Sequence, residues 1–102
     1  MKEYCIEYSS LASTDLSDIW EYINGYDNNT ANEFVLDIQE KIQQLVTFPF
    51  SGVMKQELEE IEEDARFLVF KKYNIIYEVL EETKIVFILR ILHGSREIKN
   101  YL

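Results

Sequence analysis

Residues 66–102 read RFLVFKKYNIIYEVLEETKIVFILRILHGSREIKNYL. Three runs in this stretch, 66–71, 73–80 and 84–92, are dense in β-branched and aromatic residues, as strands on a core are. Glu81-Glu82-Thr83 supplies the turn between the second and third runs. The chain must also turn at Lys71-Lys72, although no glycine or Asn-Gly stands there. Gly94 breaks the last run, and Ser95 can cap a short tail helix carrying Ile98, Tyr101 and Leu102.

Upstream, residues 2–8 alternate with Tyr4, Ile6 and Tyr8 on one face and Cys5 on the other, which predicts a first strand. Ser9-Ser10 can cap a helix whose apolar stripe is Ala12, Leu16, Ile19, Trp20 and Ile23. Asn24-Gly25 and Asp27-Asn28-Asn29 end it. Thr30 and Glu33 have capping-box spacing and predict the start of a second helix. Its stripe is Ala31, Phe34, Val35, Ile38, Ile42 and Leu45, and Pro49 stops it. Phe48 to Gly52 is a turn. The order β-α-α-β-β-β with a short C-terminal helix predicts an α+β fold, a mainly antiparallel sheet packed on a helical hairpin. At 102 residues the chain is read as a single domain over 1–102.

Charge is divided unevenly. Residues 66–102 hold seven Lys/Arg against four Asp/Glu, whereas residues 1–65 hold three against fifteen. The net charge of −9 argues against sequence-blind binding to phosphate backbones, so no direct nucleic-acid binding is expected. The run Glu57 to Asp64 reads as a solvated acidic segment. MKEYCIEY lacks the apolar run of a signal peptide, and no stretch reaches the roughly 18–20 apolar residues of a membrane span. With Cys5 as the single cysteine, the expectation is a buried strand thiol in a cytoplasmic protein.

No phosphate loop, nucleophile elbow or zinc spacing is present. With one histidine, no metal site or other cofactor is expected. Arg66, Arg90, His93 and Arg96 remain as a group of chemical interest. Strand parity places Arg90 on the face opposite Ile85, Phe87, Leu89 and Ile91, with Tyr73, Tyr77 and Arg66 able to join it. Guanidinium, imidazole and phenol groups without metal suit RNA cleavage through the 2′-hydroxyl. Ion pairing of the arginines with nearby carboxylates is the structural alternative.

Four ordered motifs carry a resemblance. They are A-x-x-D-L-x-x-I-W-x-Y-I from Ala12 to Ile23 and L-x-x-F-P-x-x-G from Leu45 to Gly52. R-x-L-x-x-x-x-Y-x-I-x-Y follows from Arg66 to Tyr77, and I-L-R-I-L-H-G-x-R-E from Ile88 to Glu97. Together they resemble the ParE/RelE superfamily of bacterial toxins from type II toxin–antitoxin systems. RelE-like members cleave mRNA on the ribosome with a basic cluster, and ParE-like members inhibit DNA gyrase. Asn74 stands where RelE-like members place a third-strand arginine, and Phe67 to Val69 replace their upstream lysines. The resemblance therefore implies the ParE-like branch: a gyrase inhibitor rather than an enzyme, neutralised by a cognate antitoxin on the helical hairpin and sheet edge. Arg90, His93, Arg96, Lys99 and Tyr101 are its expected target-binding residues. The alternatives are a metal-independent mRNA endonuclease using Arg66, Arg90, His93, Arg96 and Tyr101, or a non-toxic antitoxin-binding module.

Overall fold

Seven short elements follow one another in the computed structural model, which describes residues 3–54 and 65–94. They are β1 (Cys5–Tyr8), α1 (Ser10–Asn24), α2 (Asn28–Gln43), a 3-10 turn (Gln44–Val46), β2 (Arg66–Phe70), β3 (Tyr73–Leu80) and β4 (Ile85–His93). The acidic run 57–64 and the expected tail helix lie outside the described residues. No described helix is long and apolar enough to cross a membrane.

Both helices start on an oxygen supplied by the residue before them. Ser9 caps α1, its Oγ accepting from the Ala12 amide at 3.0 Å. The cap of α2 is Asp27, three residues before the Thr30–Glu33 box that the sequence suggested. One Asp27 oxygen accepts from both the Thr30 amide, at 2.9 Å, and the Thr30 hydroxyl, at 2.6 Å. Thr30 therefore spends its hydroxyl as a donor, and the carboxylate acts as the stronger N-cap. These two bonds hold the Asp27 carboxyl below its ordinary value of 3.8. A depressed pKa contributes stability above the unfolded-state value, and that stability is lost as pH falls through the folded one. Thermal melts from pH 7 downward should show this acid-side loss shallower in Asp27→Asn, which keeps the cap without the titration.

The sheet order is β1-β4-β3-β2. β1 runs parallel to β4, and the other two pairings are antiparallel. The helical hairpin covers one face. There Ile75, Tyr77, Val79, Val86, Ile88 and Ile91 pack on Ala12, Ile19, Ile38, Ile42 and Leu45. A smaller cluster, Ala65, Phe67, Ile76 and Leu92 with Leu89 against it, occupies the other face.

The alternation read from the sequence fails in β4, and a bulge is the cause. Ile76 pairs with Arg90 and Tyr77 with Ile88, so Leu89 is an extra residue. An extra residue shifts the period-2 alternation by one. Val86, Ile88 and Ile91 can then all face the helices, whereas simple parity had put Ile85, Phe87, Leu89 and Ile91 there. Tyr73 and Tyr77, expected as possible members of the open face, pack on the helix side.

Two hairpin turns are made without glycine: Lys71 and Lys84 take left-handed φ of 52° and 58°. That conformation costs a non-glycine residue about 1–2 kcal/mol. The Lys71 ammonium lies 5.2 Å from the Phe34 ring and 5.4 Å from the Phe70 ring, contacts that offset part of the cost. Cys5 is exposed on β1 rather than buried, because Tyr4, Ile6 and Tyr8 take the core-facing positions.

Candidate target face and partner groove

The turn 48–52 is tied to the sheet by two side chains of the sequence motifs. Tyr77, fully buried, donates its hydroxyl to the Pro49 carbonyl and accepts from the Gly52 amide, both at 2.8 Å. Burial pushes its phenol above the ordinary range, against the opposing influence of the Gly52 amide and Arg66. Arg66 donates to the carbonyls of Gly52 at 3.0 Å and Phe50 at 3.3 Å, with its guanidinium 5.1 Å from the Phe50 ring. Arg66, a member of the endonuclease alternative, is therefore occupied in holding a turn.

Arg90 is occupied as well. β1 pairs with β4 only from Ile85 to Ile88, so beyond Ile88 the outer edge of β4 has no strand partner among the described residues. Side chains from α1 and its cap take over there. Ser9 Oγ donates to the Leu89 carbonyl at 2.7 Å, and Asp15 Oδ2 accepts from the Ile91 amide at 2.9 Å. Arg90 meets the same carboxylate in a two-pronged pair, Nε to Oδ2 and Nη2 to Oδ1, each 2.9 Å. The two side chains are only 12% and 10% exposed. Strand parity allowed Arg90 the open face, with ion pairing to a nearby carboxylate as the alternative; the pair with Asp15 is of the second kind and holds Arg90 against α1.

Asp15 was missed as a site residue, yet it left a signal. It lies three residues after Ala12 and four before Ile19, inside the buried stripe of α1. An acid at such a position needs a buried partner.

His93 closes β4, its ring edge-on to Tyr73 at 5.4 Å between centroids. Both line a cleft of about 610 Å³ with Asp15, Asp18, Ile19, Tyr22, Lys72 and Ile91. Arg96, Lys99 and Tyr101 lie outside the described residues, so of the expected target-binding set only Arg90 and His93 can be located.

The sheet face away from the helices is mostly apolar. Following the pairings, it carries Phe67 and Val69 from β2, Asn74, Ile76 and Glu78 from β3, and Phe87 and Leu92 from β4. Among its described residues, the only cation that register could assign to it is Arg90, which Asp15 holds. No group of three metal-ligating side chains occurs among the described residues.

A second cleft, of about 480 Å³, lies on the helical layer. Leu16, Trp20 and Glu21 of α1, Val35 and Gln39 of α2, and Tyr8 of β1 line it, with Ser13 and Ser17. Trp20 Nε1 donates to Asn32 Oδ1 at 2.8 Å and fixes the two helices together beside it. Burial raises the Tyr8 phenol.

Comparison with known proteins agrees with this architecture. The sequence matches the family described as "ParE toxin of type II toxin-antitoxin system, parDE" over residues 6–98. No curated protein matches the sequence closely enough to count as similar. Among solved structures, the chromosomal ParDE system of P. aeruginosa superposes with a TM-score of 0.74 at 20% identity, covering 91% of this chain and 98% of that one. The RelBE2 toxin–antitoxin complex of Mycobacterium tuberculosis gives 0.58 at 20% identity, covering 89% and 98%. A mutant of E. coli toxin RelE in the free state gives 0.61 at 12% identity, covering 97% and 90%. At these identities the structures establish the shared fold, and the family match carries the assignment. The chain belongs to the ParE family, the toxins of type II toxin–antitoxin systems.

Proposed function

We propose that this toxin arrests growth by binding DNA gyrase in the cytoplasm, without a chemical step of its own, and that a cognate antitoxin neutralises it. The observation that carries the choice of target is the sheet face away from the helices. Cleavage at a scissile phosphate calls for fixed positive charge around the developing transition state. On that face Val69 is exposed and Asn74 half-buried while Phe67 and Ile76 are buried, and the guanidinium groups of Arg66 and Arg90 are bound to the 50–52 turn and to Asp15. Such a surface is better suited to meeting another protein than to holding RNA.

In this reading the target-facing part combines the end of β4 with the C-terminal residues: His93, Arg96, Lys99 and Tyr101. Arg90 serves from behind, anchoring the strand that leads to them. The antitoxin occupies the helical groove and the neighbouring edge of β1. The known antitoxin complexes of similar fold support a partner of this kind.

The test is a supercoiling assay with purified gyrase, relaxed plasmid and ATP. Inhibition that rises with toxin concentration and disappears on adding the antitoxin is the expected result, weakened by His93→Ala or Arg96→Ala. If gyrase is unaffected and ribosome-bound mRNA is cut in a His93- and Arg96-dependent manner, the endonuclease reading replaces it.

A further inference from the structure

The cleft beside His93 is built from three elements that are tied to one another. Asp18 and Tyr22 come from α1, Lys72 and Tyr73 from the β2–β3 hairpin, and His93 from the end of β4, above the buried Ile19 and Ile91. Asp15 joins α1 to β4 through Arg90 and the Ile91 amide. The Gly94 amide donates to the Lys72 carbonyl at 2.6 Å, which fastens the hairpin turn to the end of β4. Tyr73 lies edge-on to Phe34, at 5.6 Å between ring centroids, and edge-on to His93, at 5.4 Å. A cleft of about 610 Å³ has the size of a ligand site, and walls held in this way need little ordering when it is filled.

At its mouth Tyr22 is 68% exposed, edge-on at 5.8 Å to Tyr26, which is 81% exposed. Aromatic rings thus stand open to solvent beside an aromatic wall, a setting that favours a further ring. Charge narrows the choice of occupant. Asp15 is neutralised by Arg90, so among the described residues that line the cleft the remaining fixed charges are Asp18 and Lys72, both exposed. A cation would be opposed by Lys72 and an anion by Asp18. A phenol hydroxyl can donate to the carboxylate and accept from the ammonium. We infer that the cleft seats a tyrosine side chain of a partner protein, its ring against Tyr22, Tyr73 and His93 and its hydroxyl between Asp18 and Lys72. This rests on the reading of the β4 end as the target-facing part, and it adds Asp18, Tyr22 and Lys72 to the contact residues there. A nucleic-acid base could use the same rings, but its phosphates would approach Asp18 on a chain of net charge −9.

N-acetyl-tyrosinamide, its phenylalanine and leucine analogues, and adenosine are titrated into the full, isotope-labelled chain and followed by amide NMR. The tyrosine probe should shift the amides of Asp18, Tyr22, Lys72 and His93. It should bind about two- to tenfold tighter than the leucine probe and about threefold tighter than the phenylalanine one. Tyr22→Ala, a change at an exposed position, should keep the native amide spectrum and weaken the tyrosine probe about tenfold. Asp18→Ala should remove the preference for tyrosine over phenylalanine. In the supercoiling assay Tyr22→Ala should raise the toxin concentration for half-inhibition by a factor similar to its effect on the probe. Shifts centred elsewhere, equal binding of tyrosine and leucine probes, tighter binding of adenosine, or indifference to Tyr22→Ala would overturn the inference. Failure of the unaltered chain to inhibit gyrase would count against the choice of target instead, because the probe titrations contain no gyrase.

Discussion

Asp15→Ala should lower the unfolding free energy by about 3–5 kcal/mol, the range for removing one partner of a buried ion pair. The carboxylate does two things that alanine cannot. It neutralises Arg90 in a pair whose side chains are 12% and 10% exposed, and it accepts from the Ile91 amide at the bulge. The loss is therefore of a counter-charge and of a backbone acceptor together. Asp15→Asn keeps an acceptor for Ile91 and should fall between alanine and wild type. Asp15→Leu combined with Arg90→Met removes both charges and should recover much of the deficit, because the pair must repay its own desolvation. Urea unfolding of the four proteins measures all of this. A cost below about 1 kcal/mol for Asp15→Ala would mean that the pair behaves as a surface one.

Gly52→Ala is expected to cost about 3 kcal/mol, the upper end for forcing an extra carbon into a packed site. Gly52 has no left-handed backbone to protect; what it needs is space. A Cβ there would collide with the Tyr77 hydroxyl and lie 2.7 Å from Tyr77 Cε1 and 2.8 Å from the Phe67 carbonyl oxygen. Tyr77→Phe alone should cost about 1–3 kcal/mol by leaving the Gly52 amide without its acceptor. Combining the two clears the hydroxyl but neither the ring edge nor the Phe67 carbonyl, so the double variant should stay well below Tyr77→Phe. Recovery of the double variant to the level of Tyr77→Phe would put the whole clash on the hydroxyl.

These two sites also mark where sequence reading succeeds and where it stops. Helix stripes and strand runs are local periodicities, and they located both α-helices and all four strands among the described residues to within a few residues. The 3-10 turn Gln44–Val46 was read as the end of the second helix. Pro49, Gly52, Arg66 and Tyr77 were visible as motif positions, but their convergence was not, because it depends on the pairing of β2 with β3. The bulge at Leu89 was hidden for a different reason. With aliphatic residues on both parities around it, at Ile88, Leu89, Ile91 and Leu92, an extra residue leaves no break in the alternation, so the parity of Arg90 could not be read. The cap of α2 was misplaced because Thr30 and Asp27 both have capping chemistry, and only geometry decides which oxygen accepts. Cys5 illustrates a bias of residue type: free cysteines are usually buried, but β1 is a four-residue edge strand with one face already filled by Tyr4, Ile6 and Tyr8.

The parallel pairing of β1 with β4 joins Cys5 to Ile85, partners eighty positions apart. On a ribosome adding about 5–20 residues per second, the first strand waits roughly 4–16 s for the strand it must pair with. Tyr8, at the end of that strand, forms part of the helical groove, and Asp15 ties α1 to Arg90 of β4. One wall of this groove, Tyr8, thus belongs to a strand whose hydrogen-bonding partner is among the last parts of the chain to be made.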